Sequence, residues 1–199
     1  MRARLSALLL CLGLLLPGRA PAAAAEIPYN IDQRFGTIGF SISELGLFET
    51  AGTFRQFSGR LVIDPAEPAH TKIAVVIRVG SVAMSSNRAA EMLLSPAYFD
   101  AGVYPAIRFR STSVVQVGND RYRIQGQLRI RNVTQPETLM AVLAHGKGSA
   151  EERRTAYFTV TGKLHRSAFG MKANENFVGD VVRIVIHVHL ALPELAHAG

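Results

Sequence analysis

The stretch from Tyr104 to Arg131 constrains the chain most. In its second half Tyr122, Ile124, Leu128 and Ile130 alternate with Arg121, Arg123, Gln125, Gln127, Arg129 and Arg131. Side chains alternate across a strand, so this is a strand with one buried and one wet face. The first half repeats the pattern, with Ile107, Phe109, Val115 and Val117 set against Arg108, Arg110 and Thr112. Between them, Val117-Gly118-Asn119-Asp120 carries residues that accept tight or left-handed backbone. Two long one-sided strands joined by a turn predict an all-β protein.

The other strands follow in order. Ile38, Phe40 and Ile42 mark the first, after an opening Pro28-Tyr29-Asn30-Ile31-Asp32 segment. A second runs from about Ala51 to Ile63 and changes phase between Phe54 and Phe57, so a bulge or bend flanked by Gly52 and Gly59 is expected. Lys72 to Val79 forms a third. Ser85-Ser86-Asn87 precedes a short apolar helix, Arg88 to Leu94, which Ser95-Pro96 stops. After the hairpin, Asn132 to Pro136 reads as a turn, Thr138 to Ala144 as a sixth strand and Ala156 to Leu164 as a seventh. Met171 to Gly179 reads as an exposed loop, and Asp180 to Leu190 as the last strand. The expected fold is thus an extended eight-stranded antiparallel up-and-down barrel, lipocalin-like, with one or two short helices. Closure removes the exposed edges and the bare apolar face. Such a barrel is either filled by its own side chains or holds one small ligand, and a long, thin, apolar molecule suits strands of this length.

The N-terminus reads as a leader. Met1-Arg2-Ala3-Arg4 precedes an apolar run from Leu5 to Leu16 and a small-residue stretch from Ala20 to Ala25. This is the pattern of a secretory signal peptide, and the run is shorter than the ~20 residues a bilayer needs. Residues 1–25 are therefore expected to be cleaved after Ala25, which implies a periplasmic or secreted protein. Cleavage removes Arg2, Arg4 and Arg19, so the formal charge falls from +7 to +4, and the one cysteine, Cys11, leaves with it. Residues 26–192 form the expected barrel, and 193–199 a frayed tail. The remaining cations alternate singly with apolar residues, which is a solvated strand face rather than a nucleic-acid footprint.

Few residues suggest chemistry. His187 and His189 share a face, but Val182, Ile184, Ile186, Val188 and Leu190 define the buried parity, so both imidazoles belong to the wet side and no metal site is expected. His165-Arg166-Ser167 offers a base, a cation and a hydroxyl, yet no nucleophile-elbow motif accompanies it. Arg166 is expected to be structural, pairing with a carboxylate or backbone carbonyls at the barrel end. No catalytic residue is assigned.

Several segments together resemble the YceI-like family. They are Tyr29-Asn30-Ile31-Asp32, Gly52 to Gly59, Leu93 with Ser95-Pro96 and Phe99-Asp100, Tyr104-Pro105 with Phe109 and Ser111-Thr112, Gly126-Gln127-Leu128, Val133-Thr134 with Pro136, and Arg166-Ser167 with Phe169-Gly170. The resemblance implies a lipocalin-like barrel, a periplasmic or secreted protein, and a non-covalently bound polyisoprenoid, isoprenoid quinone or similar amphiphile, with no other cofactor. It also implies that a homodimer is open to the chain, and a transient contact with a membrane or membrane protein is a further expected partner. Ala89, Ala90 and Met92 stand where members usually carry an Arg-Asp pair and a histidine, so this helix is more apolar than the family pattern. The reading that follows is a carrier or store of a long apolar ligand, touched by Phe40, Phe54, Phe57, Ile77, Phe109, Leu128 and Phe158. The alternatives are a filled barrel that docks a membrane partner through its Arg face or its 145–154 loop, and a lipid hydrolase or isomerase built on His165, Arg166 or Ser167.

Overall fold

The structure, a computed structural model, describes residues 27–64, 67–146, 149 and 155–191. The expected leader, its cleavage site, most of the 145–154 loop and the expected C-terminal tail lie outside the described residues.

Among the described residues eleven antiparallel strands form one sheet. They are β1 (Ile27–Asp32), β2 (Gly36–Glu44), β3 (Phe48–Phe54), β4 (Phe57–Ile63), β5 (Lys72–Arg78), β6 (Val82–Met84), β7 (Ala106–Gly118), β8 (Arg121–Ile130), β9 (Val133–His145), β10 (Thr155–His165) and β11 (Val178–Ala191). The α-helix among the described residues, α1 (Asn87–Leu94), lies between β6 and β7. The count exceeds the expected eight because three long strands are each broken once: β1 from β2, β3 from β4, and β5 from β6. β7 to β11 pair in sequence, β11 pairs with β2, β2 with β3, and β3 with β6. β6 continues from β5, which pairs back to β7. The sheet therefore curls round on itself, and its apolar parity faces inward.

The breaks have local causes. The bend in the second long strand falls at Arg55-Gln56, between Gly52 and Gly59 rather than at either. Ser81 holds it: its Oγ accepts from the Gln56 N–H at 3.0 Å and donates to the Arg78 carbonyl at 2.7 Å. The glycines serve another purpose. A side chain on Gly52 would collide with the Phe40 ring, and one on Gly59 with Ile31. β1, which carries Pro28, was expected only as an opening segment ahead of the first strand. It pairs only with β4, and an edge strand tolerates a missing N–H.

Three further expectations are corrected. Val115 and Val117 point outward, 46% and 40% exposed, while Val114 is buried. A bulge between Ser111 and Ser113 flips the parity of β7 halfway along. Likewise the β8–β9 turn is shorter than expected. Arg131, at φ 56°, turns the chain, β9 already begins at Val133, and Pro136 lies inside the strand opposite Gln127. Pro136 is tolerated because the β9–β10 ladder starts only at Leu139. The 171–179 segment is not wholly exposed either, because Met171 is buried in the core.

Candidate functional site

The inward face encloses a cavity of about 1190 Å³. That exceeds the ~300–1,000 Å³ common for small-molecule sites. Its lining is mainly apolar and comes from every strand of the wall. β5 contributes Ile73, Val75 and Ile77, and β11 contributes Val182, Ile184 and Ile186. These side chains are only half-buried although they point away from bulk solvent, as expected where the interior is hollow.

All seven residues singled out from sequence meet on this wall: Phe40, Phe54, Phe57, Ile77, Phe109, Leu128 and Phe158. Their registers explain it. Phe57 lies opposite Ile77, Ile77 opposite Ile107, and Phe109 opposite Leu128. They divide into two kinds, however. Phe54, Phe57 and Leu128 belong to the packed core, together with Ile38, Ile107, Ile130, Leu164 and Phe169. Phe40, Ile77, Phe109 and Phe158 remain half-buried, with faces open to the cavity.

One end of the wall is capped by packing. Phe169 and Tyr98 are buried there, the Phe99 ring meets Phe54 at 6.1 Å, and Asn174 Nδ2 donates to the Tyr98 hydroxyl at 2.9 Å. α1 also reaches the cavity, through Ala89, Met92 and Leu93. Two of the positions where this chain departs from the family pattern, Ala89 and Met92, are thus part of the apolar lining.

Arg166 is the anchor of the capped end. It is 3% exposed, and its guanidinium donates to the carbonyls of Gly179 at 2.9 Å, Met171 at 2.7 Å, Ala173 at 2.8 Å and Val178 at 2.9 Å. The expected structural role holds, with backbone carbonyls rather than a carboxylate as partners. Its neighbours form a separate cluster on Asp180. The Ser167 N–H donates to Asp180 Oδ1 at 2.8 Å, the Ser167 hydroxyl donates to Oδ2 at 3.0 Å, and His165 Nδ1 lies 2.8 Å from Oδ2. In a catalytic triad the imidazole stands between carboxylate and hydroxyl. Here the carboxylate stands between the other two, so the hydroxyl donates to Asp180 and the triad order is not formed.

Burial would raise the Asp180 pKa, but the bonds from Ser167 and His165 outweigh it and hold the carboxyl below its ordinary value of 3.8. A carboxylate whose folded pKa is depressed stabilises the fold above the unfolded value, and that contribution is lost as pH falls through the folded one. Asp180→Asn is therefore expected to lower stability at neutral pH. The gap to the parent should shrink below pH 3.8, as read by urea denaturation across a pH series.

The outward histidines make local contacts. His187 Nδ1 lies 3.3 Å from Thr159 Oγ1, and the His189 ring meets Phe35 at 5.9 Å and Tyr157 at 6.3 Å. His189 is half-buried by these rings, which its wet-side parity did not anticipate.

Sequence reading missed Glu137, which lines the cavity on the same parity of β9 as Leu139, Ala141 and Leu143. Burial pushes its carboxyl above the ordinary value, against a smaller opposing pull from His165. The alternation from Val133 to Leu143 was the available signal, hidden once Pro136 was read as part of a turn.

Comparison with known proteins adds a lineage. The YceI-like domain profile matches residues 29–190. A UPF0312 protein of Photorhabdus laumondii is 33% identical over 163 residues, 81% of this chain and 84% of that one. Protein YceI of Escherichia coli is 30% identical over 167 residues, 84% of this chain and 87% of that one. Among solved structures, Burkholderia cenocepacia BcnA superposes with a TM-score of 0.73 at 23% identity, covering 80% of this chain and 99% of that one. A polyisoprenoid-binding domain from Saccharophagus degradans, implicated in plant cell wall breakdown, gives a TM-score of 0.60 at 13% identity, covering 85% of this chain and all of that one. At these identities the solved structures establish the fold.

Proposed function

The chain belongs to the YceI-like family, and on that premise we propose that it is an exported binding protein that holds a long apolar chain, of polyisoprenoid or isoprenoid-quinone type, inside its wall. The observation that carries this is the hollow apolar interior of about 1190 Å³. Binding follows from burial: each CH₂ moved out of water contributes about 0.8 kcal/mol. The absence of a nucleophile–base pair at Ser167 and His165 favours holding over turnover. The polyisoprenoid-binding neighbour supports the ligand class. The leader-like residues 1–25 support export.

A series of polyprenyl alcohols of increasing length tests this reading by competition against a fluorescent lipid. Each added isoprene unit should tighten binding about tenfold or more until the chain outgrows the cavity, after which affinity levels off. Affinity independent of length would contradict it.

The route of loading is part of the proposal. At the β2–β3 turn Leu45, Leu47 and Phe48 are exposed, Leu47 by 83%, and Phe177 stands beside them through the Leu45 N–H···O Phe177 bond of 2.8 Å. The strands that carry this tip also give Ile42, Glu44 and Thr50 to the cavity lining, and half-exposed Met92 of α1 lines it too. The ligand class resides in membranes, so the tip is where the protein meets a lipid surface. Leu47→Asp with Phe48→Asp should slow lipid transfer from phosphatidylcholine vesicles and leave equilibrium affinity unchanged. A change from dimer to monomer in the ultracentrifuge with unaltered transfer would assign the tip to self-association instead.

A further inference from the structure

We propose that Glu137, together with the ring of Phe109, receives the polar end of the bound chain and selects a neutral, hydroxyl-bearing head over an anionic one. This rests on the function proposed above and deepens it.

Glu137 faces the cavity from β9, and its register partner on β8 is Gly126. The Phe109 ring lies over that glycine: a Cβ there would collide with its edge and stand 2.6 Å from the Arg110 carbonyl oxygen. The Glu137 carboxyl and the Phe109 ring thus meet at one glycine, the first beside it in register and the second packed over it. The β9–β10 ladder ends at Leu139↔Gly162, whereas β10 stays paired with β11 down to His165. At the level of Glu137 the wall therefore keeps its β8–β9 ladder but has no β9–β10 ladder. Among the described residues no hydrogen bond or ion pair reaches its carboxyl.

The other charged groups of the lining are differently placed. Arg166 is committed to four carbonyls. Asp64 accepts the Glu67 N–H at 2.9 Å and lies 3.4 Å from His70 Nδ1. Glu44 is the terminal residue of β2, and Lys163 sits on the outward parity of β10 opposite Arg183. Among the described residues Glu137 is the carboxyl within the apolar wall that still lacks a hydrogen-bond donor, His165 exerting on it only a charge effect smaller than that of burial. A half-buried carboxylate without a donor is costly, and a ligand hydroxyl supplies the donor. A carboxylate or phosphate head at the same place adds like-charge repulsion in an apolar surround. The phenolic or alcoholic end of an isoprenoid fits, and its anionic counterpart does not.

The test compares geranylgeraniol with geranylgeranic acid, which share one chain, at pH 8, on the parent protein, Glu137→Gln and Glu137→Lys. The parent should bind the alcohol about tenfold or more tightly than the acid. Glu137→Gln should bring the two within about threefold, and Glu137→Lys should invert the order. Equal binding by the parent, tighter binding of the acid (as Lys163 would produce), or an unchanged ratio in Glu137→Gln overturns the assignment. A parent that binds neither probe overturns the proposed function itself, and the head-group site with it.

Discussion

Arg166→Met is expected to destabilise the protein by about 3–5 kcal/mol. Methionine is close in length and fills the same space, so the loss isolates the guanidinium. Four carbonyls, those of Gly179, Met171, Ala173 and Val178, are left without their donor beneath the cap. Each buried acceptor left unpaired costs about 1–3 kcal/mol, partly relieved where water reaches it. Against a typical total of about 5–15 kcal/mol the loss is large, and the melting temperature should fall by roughly 10 °C. Arg166→Lys should recover part of this, since an ammonium has three donors where the guanidinium fills four acceptors. Thermal and urea unfolding of the three proteins measure it. An unchanged midpoint for Arg166→Met would mean that the 166–178 segment is held by other contacts.

The second large effect falls on the ligand. Phe109→Arg places a cation on the inner face of β7, where the wall is lined by Val75, Leu128 and Ile124. Retention of an apolar chain should drop by at least about tenfold, because the guanidinium must either lose its water or draw water into the cavity. Val115→Arg is the matched control. It lies on the same strand but points outward beyond the bulge, so retention should match the parent. Equal losses in both variants would indicate a general effect of charge on the fold. No loss in either would remove Phe109 from the ligand surface.

The contrast between Phe109 and Val115 also shows how much was legible beforehand. Strict alternation from Arg121 to Arg131 placed β8 correctly, because no extra residue interrupts it and one face is uniformly polar, arginine or glutamine at every position. The same rule failed on β7, where one extra residue near Thr112 reverses the parity. A bulge leaves little trace in composition, so alternation alone assigned Val115 and Val117 to the wrong side. The phase change between Phe54 and Phe57 was visible because large aromatics fell on opposite parities. Its pinning by Ser81, distant in sequence, was not. Inward aromatics such as Phe40 and Phe158 could be named from parity alone. Whether they fill the interior or line a space depends on the curvature of the whole wall, which no local pattern encodes. Glu137 was lost to a plausible but wrong turn, since Pro136 more often ends a strand than sits inside one.

In the cell the hollow interior should be occupied by a long apolar chain. Mass spectrometry of an organic extract from the gently purified protein tests it most directly. A polyisoprenoid or isoprenoid quinone near one equivalent per chain, lost in Phe109→Arg and kept in Val115→Arg, is the expected result. An extract empty of any such chain from the folded parent protein would contradict it.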